Sequence, residues 1–135
     1  MYALIVGCGR LGSRLANQLS RAGHNVVVVD RVKEAFNLLS AEFSGFQVTG
    51  DASDQEVLKE AKIQEADLLA AVTDDDNVNL LIAQCARELY HVPKVLARVG
   101  DPLKGAIFQE MGLHILCPTT ISADAFGAEI LKQGE

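Results

Sequence analysis

Short unbroken apolar runs alternate along this chain with stretches whose apolar residues recur every three to four positions. Tyr2–Val6, Val26–Val29, Phe46–Thr49, Asp67–Val72, Lys94–Val99 and His114–Cys117 read as strands. The β-branched run Val26–Val29 has no polar position, which suits a strand covered on both faces. Between the strands, Leu11–Arg21 reads as a helix with Leu11, Leu15 and Leu19 on one face, and Val32–Glu42 as a second. A third starts at Ser53 or Asp54 and runs to about Lys62. Asp75–Leu89, Pro102–Met111 and Thr119–Lys132 complete the helical set. Gly23 ends the first helix and Gly50 breaks the third strand. Thr73 and Asp74 offer N-caps to the long helix, whose first residues add acids at its positive end.

Strands that alternate with helices through short connections require a parallel sheet with helices on both faces. The pattern is βαβαβ twice over. It predicts an α/β fold: a single-domain, Rossmann-like, doubly wound, six-stranded parallel sheet.

Composition narrows the function. The chain has 135 residues, a net charge of −6 and a sequence pI of about 5.0. With no Lys/Arg run, this argues against nucleic acid or an anionic membrane surface as the main partner. The three cysteines, Cys8, Cys85 and Cys117, are far apart and match no zinc spacing. They read as reduced structural thiols of a cytoplasmic protein. The apolar start is too short for a signal sequence, and no run is long enough to span a bilayer. Action at a membrane would therefore need a partner.

The candidate chemistry sits where strands end. Gly7-x-Gly9-x-x-Gly12 follows the first strand directly and opens a helix, and the second strand ends in Asp30. In that context Gly7 permits a tight turn, Gly9 lets backbone approach a pyrophosphate, and Gly12 lets helix pack on strand. The helix N-terminus offers unpaired N–H groups to phosphate, which makes Cys8, Arg10 and Leu11 part of the cradle. Asp30 is placed to accept from ribose hydroxyls and to repel a 2′-phosphate, favouring NAD over NADP, unless it caps the helix that follows. Arg31 could stack on adenine or pair a phosphate. Asp51 and Ala52, after the third strand, are placed beside an adenine, with helix capping as the alternative reading of Asp51. Thr73 and Asp74 end the fourth strand and Arg98 the fifth. Arg10 and Arg98 are the cations expected near phosphates, or else members of surface ion pairs. The acids Asp74–Asp76 lack the alternating spacing of a calcium loop, and capping accounts for much of their charge.

Taken together, IVGCGRLGSRLANQL, VVVVDR, GDASD, ADLLAAVTDDDNVNLLIA, VLARVGDP and GLHILCPTTISA resemble the N-terminal domain of regulators of potassium conductance, the KTN or TrkA-N domain. The resemblance covers nearly the whole chain. It implies a cytoplasmic regulatory subunit that binds NAD(H) or an adenine nucleotide such as ATP or ADP, and that gates a membrane-embedded potassium transporter or channel. The ligand contacts it implies fall on Gly7 to Leu11, Asp30, Arg31, Asp51, Ala52, Thr73, Asp74 and Arg98. It also implies a homo-oligomer, a dimer or higher ring, with helices after the last strand at the interface. Ala125, Phe126, Ile130 and Leu131 could supply the apolar face, unless they pack on their own sheet. Many members continue into a smaller C-terminal ligand domain. This chain ends at Glu135, so one domain over 1–135 is expected, as a stand-alone subunit or an excised part.

Two other classes compete with the regulatory reading. A nicotinamide-dependent oxidoreductase would use the same cleft but needs an acid or base beside it. His24, His91, His114, Tyr2 and Tyr90 are all poorly placed for that, so no catalytic residue is assigned. A redox sensor acting on DNA or a protein is opposed by the acidic balance and the lack of a DNA-binding helix.

Overall fold

The computed structural model describes residues 1–132; the end of the predicted domain, 133–135, lies outside the described residues. The elements are β1 (Tyr2–Val6), α1 (Arg10–Arg21), β2 (Asn25–Asp30), β3 (Phe46–Thr49), α2 (Gln55–Glu60), β4 (Leu68–Ala71), α3 (Asp76–Glu88), β5 (Lys94–Arg98), α4 (Pro102–Glu110), β6 (His114–Leu116) and α5 (Pro118–Lys132). The six strands form one parallel sheet in the order β3-β2-β1-β4-β5-β6. This is the doubly wound arrangement, with the order reversing between β1 and β4.

The apolar runs are continuous because each central strand is buried on both faces. Leu4 and Val6 of β1, Val27 and Val29 of β2, and Leu69 and Ala71 of β4 face one core with Leu58, Ile63 and Ile82. Their alternates Ile5, Val26, Val28 and Ala70 face the other core, with Ala16 of α1 and Phe36. A third cluster joins Leu80 and Ala83 of α3 to Ala97, Val99, Leu113 and Ile115. Burial of this kind contributes about 25 cal/mol per Å² of apolar surface, so the register of these strands is strongly specified.

Three expectations need correction. The stretch Val32–Glu42 forms only a 3₁₀ helix, Lys33–Leu38. It buries a single residue, Phe36, and its exit is held by side chains of α1: Asn17 Oδ1 accepts from Ser40 N at 3.0 Å, and Ser20 Oγ from Ser44 N at 3.2 Å. In α1, Leu11 is exposed; the inner face is Gly12, Ser13 and Ala16, because small residues let the helix lie close to the sheet. The cap of α3 is Asp75, not Thr73 or Asp74: its Oδ1 accepts from Asn77 N at 2.9 Å and Val78 N at 3.2 Å.

Helix α5 does not return to its own sheet. No residue of α5 is buried, and Phe126 and Leu131 are 71% and 77% exposed. On α4 and its C-cap, Leu103, Ile107 and Met111 recur at intervals of four and are also exposed. Among the described residues, no helix is long and apolar enough to cross a membrane.

Candidate nucleotide site

Parallel strands bring all their carboxyl ends to one edge, and the order reverses at β1 and β4, so the crevice opens between the turns that follow them. Gly7, Gly9 and Gly12 line the first of these turns, and Gly7 and Gly12 each answer to a different neighbour. Gly7 has φ +103°, and a methyl group there would lie 2.9 Å from Thr73 N. The β1 and β4 turns therefore touch. A methyl group at Gly12 would lie 1.8 Å from Gly7 O, so α1 could not close on the turn with any side chain there. Gly9 is unlike both. Its φ of −81° and ψ of −160° suit any residue, and a methyl group would meet nothing within 4 Å. The fold has no need of a glycine at this position.

Position 9 is also the N-cap of α1, where Ser, Thr, Asn and Asp are preferred over Gly. No side chain caps this helix. Among the described residues, the N–H groups of Gly9, Arg10, Leu11 and Gly12 have no protein acceptor, while Ser13 N reaches Gly9 O. The turn thus presents a row of free donors at the positive end of a helix.

Asp30 faces this turn. Its Oδ2 accepts from Cys8 N and its Oδ1 from Val32 N, both at 2.8 Å. The carboxylate closes the wall between the glycine turn and the end of β2 and keeps lone pairs on both oxygens. Cys8 itself turns inward: its side chain is buried, and burial, with the nearby Asp30 charge, pushes its thiol up to about 11. Arg10 and Arg31 are exposed, and neither forms a salt bridge among the described residues.

At the β3 edge, Asp51 is exposed and its Oδ1 accepts from Ser53 N and Ser53 Oγ at 2.9 and 2.7 Å. Those bonds lower its pKa, and Arg31 nearby lowers it further. Asp51 does not cap α2; Asp54 does, accepting from Glu56 N at 2.9 Å. The Ala52 methyl lies in the core, which leaves only its backbone for a ligand.

The β4 and β5 ends are joined by Asn79, which sequence reasoning missed. Asn79 is fully buried on α3. Its Oδ1 accepts from Thr73 N at 2.9 Å and Thr73 Oγ1 at 2.6 Å, and its Nδ2 donates to Thr73 O and Arg98 O, each at 2.9 Å. All four of its hydrogen-bonding positions are filled. The Thr73 hydroxyl has given its proton to Asn79 and takes Asp75 N at 3.2 Å, so it has little left to offer a ligand. Arg98 Nη1 donates to Thr73 O and to Asp74 Oδ1, each at 3.2 Å. Asp76 ties the next loop, accepting from Gly100 N at 2.8 Å and Asp101 N at 3.2 Å. Each acid of the Asp74–Asp76 run therefore has its own partner. A polar residue at a core-facing position of α3 was the only signal that could have revealed Asn79.

Residues 3–118 match the model of the TrkA-N domain. The chain belongs to the TrkA-N family. It is 40% identical over 134 residues to the Trk system potassium uptake protein TrkA of Streptomyces coelicolor, covering 99% of this chain and 60% of that protein. Its fold matches the Kef CTD of Shewanella denitrificans in its AMP-bound form, with a TM-score of 0.84 and 25% identity over 98% of this chain and 81% of the other. It also matches the GsuK channel bound to NAD, with a TM-score of 0.69 and 27% identity over 87% of this chain and 21% of the other. As a TrkA-N domain, the chain spans 60% of the length of its Streptomyces relative. The glycine turn, Asp30, Thr73, Asn79 and Arg98 all fall inside the matched region.

Proposed function

We propose that this TrkA-N domain binds NAD(H) or an adenine nucleotide such as ATP or ADP at the glycine turn, and thereby regulates a membrane-embedded potassium transporter or channel from the cytoplasmic side. The observation that carries the reading is Gly9: an exposed glycine that neither backbone conformation nor packing requires, at the mouth of a row of unpaired N–H groups. A diphosphate lying on those groups explains the missing side chain. Asp30 supports the ribose role, being fixed at the adjacent wall with lone pairs to spare. Among the described residues, Arg10 and Arg31 form no salt bridge, which leaves them available to ligand phosphates. The AMP of the Kef domain and the NAD of GsuK support this ligand class, and the potassium-uptake name of the Streptomyces relative supports the regulatory role.

The domain acts as a dimer or higher oligomer through α4 and α5. Ile121, Phe126, Ile130 and Leu131 on α5, with Leu103 and Ile107 on α4 and Met111 at its C-cap, are too many exposed apolar side chains for a solitary surface. A second copy covering them supplies the missing burial. Regulation then follows from differential affinity: two ligands filling one cleft bias two assemblies only as far as their contacts differ.

Calorimetric titration of the purified domain with ATP, ADP, AMP, NAD and NADH, with size-exclusion light scattering, tests both parts. Saturable binding by at least one nucleotide and a mass above the monomer are expected. No binding by any of the five rejects the nucleotide reading, and steady NADH turnover with a small substrate rejects the regulatory one.

A further inference from the structure

The geometry points to Asp74 as a specificity-determining residue that competes with ligand phosphate for Arg98, and so sets how strongly the cleft prefers highly charged nucleotides. The inference rests on the nucleotide reading above. Arg98 ends β5 with its side chain 32% exposed, and its Nη1 is shared between Thr73 O and Asp74 Oδ1. Thr73 abuts the glycine turn, since a methyl group on Gly7 would lie 2.9 Å from Thr73 N. The guanidinium is therefore anchored beside the turn that would hold phosphates. Its backbone is fixed as well, because Arg98 O accepts from buried Asn79.

The partner is less firmly held. The Asp74 side chain is fully exposed. Unlike Asp75 and Asp76, Asp74 forms no hydrogen bond to backbone N–H among the described residues. An exposed ion pair of this kind contributes little net stability. A phosphate group, which accepts charge-assisted bonds from a guanidinium, can replace the carboxylate at small loss. The replacement is more favourable the more charge the ligand carries, and the displaced carboxylate then repels the same ligand. Asp74 thus acts as an internal stand-in for phosphate, and Arg98 answers to whichever anion is stronger.

The test is a double-mutant cycle of Asp74→Asn and Arg98→Gln, titrated with ATP, AMP and adenosine at fixed ionic strength without divalent cations. Asp74→Asn should raise ATP affinity about three- to tenfold, AMP affinity less, and adenosine affinity not at all. Adenosine is the control for structural damage, which would move all three. In the Arg98→Gln background the gain from Asp74→Asn should largely vanish, because the two residues act through one contact. An unchanged ATP-to-AMP ratio in Asp74→Asn overturns the inference. So does an equal gain in both backgrounds, which would mean that Asp74 acts only through the general acidic field. Absence of binding by the wild-type domain overturns the nucleotide reading as well, whereas binding with an unmoved ratio overturns the inference alone.

Discussion

The carboxylate of Asp30 accepts the amide hydrogen of Cys8 at 2.8 Å across the top of β1 and β2. One side chain at the end of the second strand thereby sets the curvature of the glycine turn at the end of the first. Truncation to Asp30→Ala leaves a half-buried N–H without a partner and removes the proposed ribose acceptor. It should destabilise the domain by about 1–3 kcal/mol in denaturant titration and weaken every ribose-bearing ligand by a similar amount. Unchanged affinity would remove Asp30 from the site.

Asn79 binds the β4 and β5 ends through four hydrogen bonds from a fully buried position. Asn79→Leu keeps the γ-branched shape, is bulkier, and orphans Thr73 N and Arg98 O. The expected cost is about 3 kcal/mol or more, read by urea unfolding. Asn79→Asp loses both donated bonds and buries a charge. Its destabilisation should shrink as pH falls and the introduced carboxyl becomes neutral. Equal stability of Asn79→Leu and wild type would contradict the assigned network.

The cysteines should separate chemically. Cys8 is buried, and its thiol is pushed up to about 11 from an ordinary 9.0. Cys117 is half-buried at the start of α5, and hydrogen bonds from Thr120 lower its pKa. Alkylation near pH 7.5, followed by mass spectrometry, should label Cys117 well before Cys8. The raised pKa of Cys8 also has a linkage consequence. Below pH 9 its contribution to stability is complete; between about 9 and 11 the unfolded thiol ionises first and that contribution is lost. Early labelling of Cys8 in folded protein would contradict its burial.

Much of this was legible in the amino-acid pattern, for reasons that particular residues make plain. Val26–Val29 could only be a strand buried on both faces, and Gly7-x-Gly9-x-x-Gly12 marked the turn between the first strand and the first helix. The failures lie where tertiary contacts override local preference. The helical pattern at Val32–Glu42 gave way because only Phe36 finds the core, while side chains from α1 hold the rest. Leu11 fits an apolar stripe by spacing, yet the helix turns its glycine and alanine inward. The hydroxyl and backbone of Thr73 are taken by Asn79, six residues on, a tie that no local pattern announces. Spacing alone distinguishes neither a hub from a contact nor, in an acidic run, which carboxylate caps and which reaches another strand.

The central claim is that Gly9 is there for a ligand and not for the fold. Gly9→Ser tests it most directly, because Ser is a preferred N-cap whose backbone and space requirements are met at this position. The hydroxyl would take the same N–H groups that a phosphate needs. Thermal unfolding and calorimetric titration of this variant beside wild type should show stability equal or slightly higher, and affinity for the best-bound nucleotide at least about tenfold lower, or 1.4 kcal/mol. Full nucleotide affinity in Gly9→Ser, or a loss of fold stability matching the loss of binding, would contradict the account.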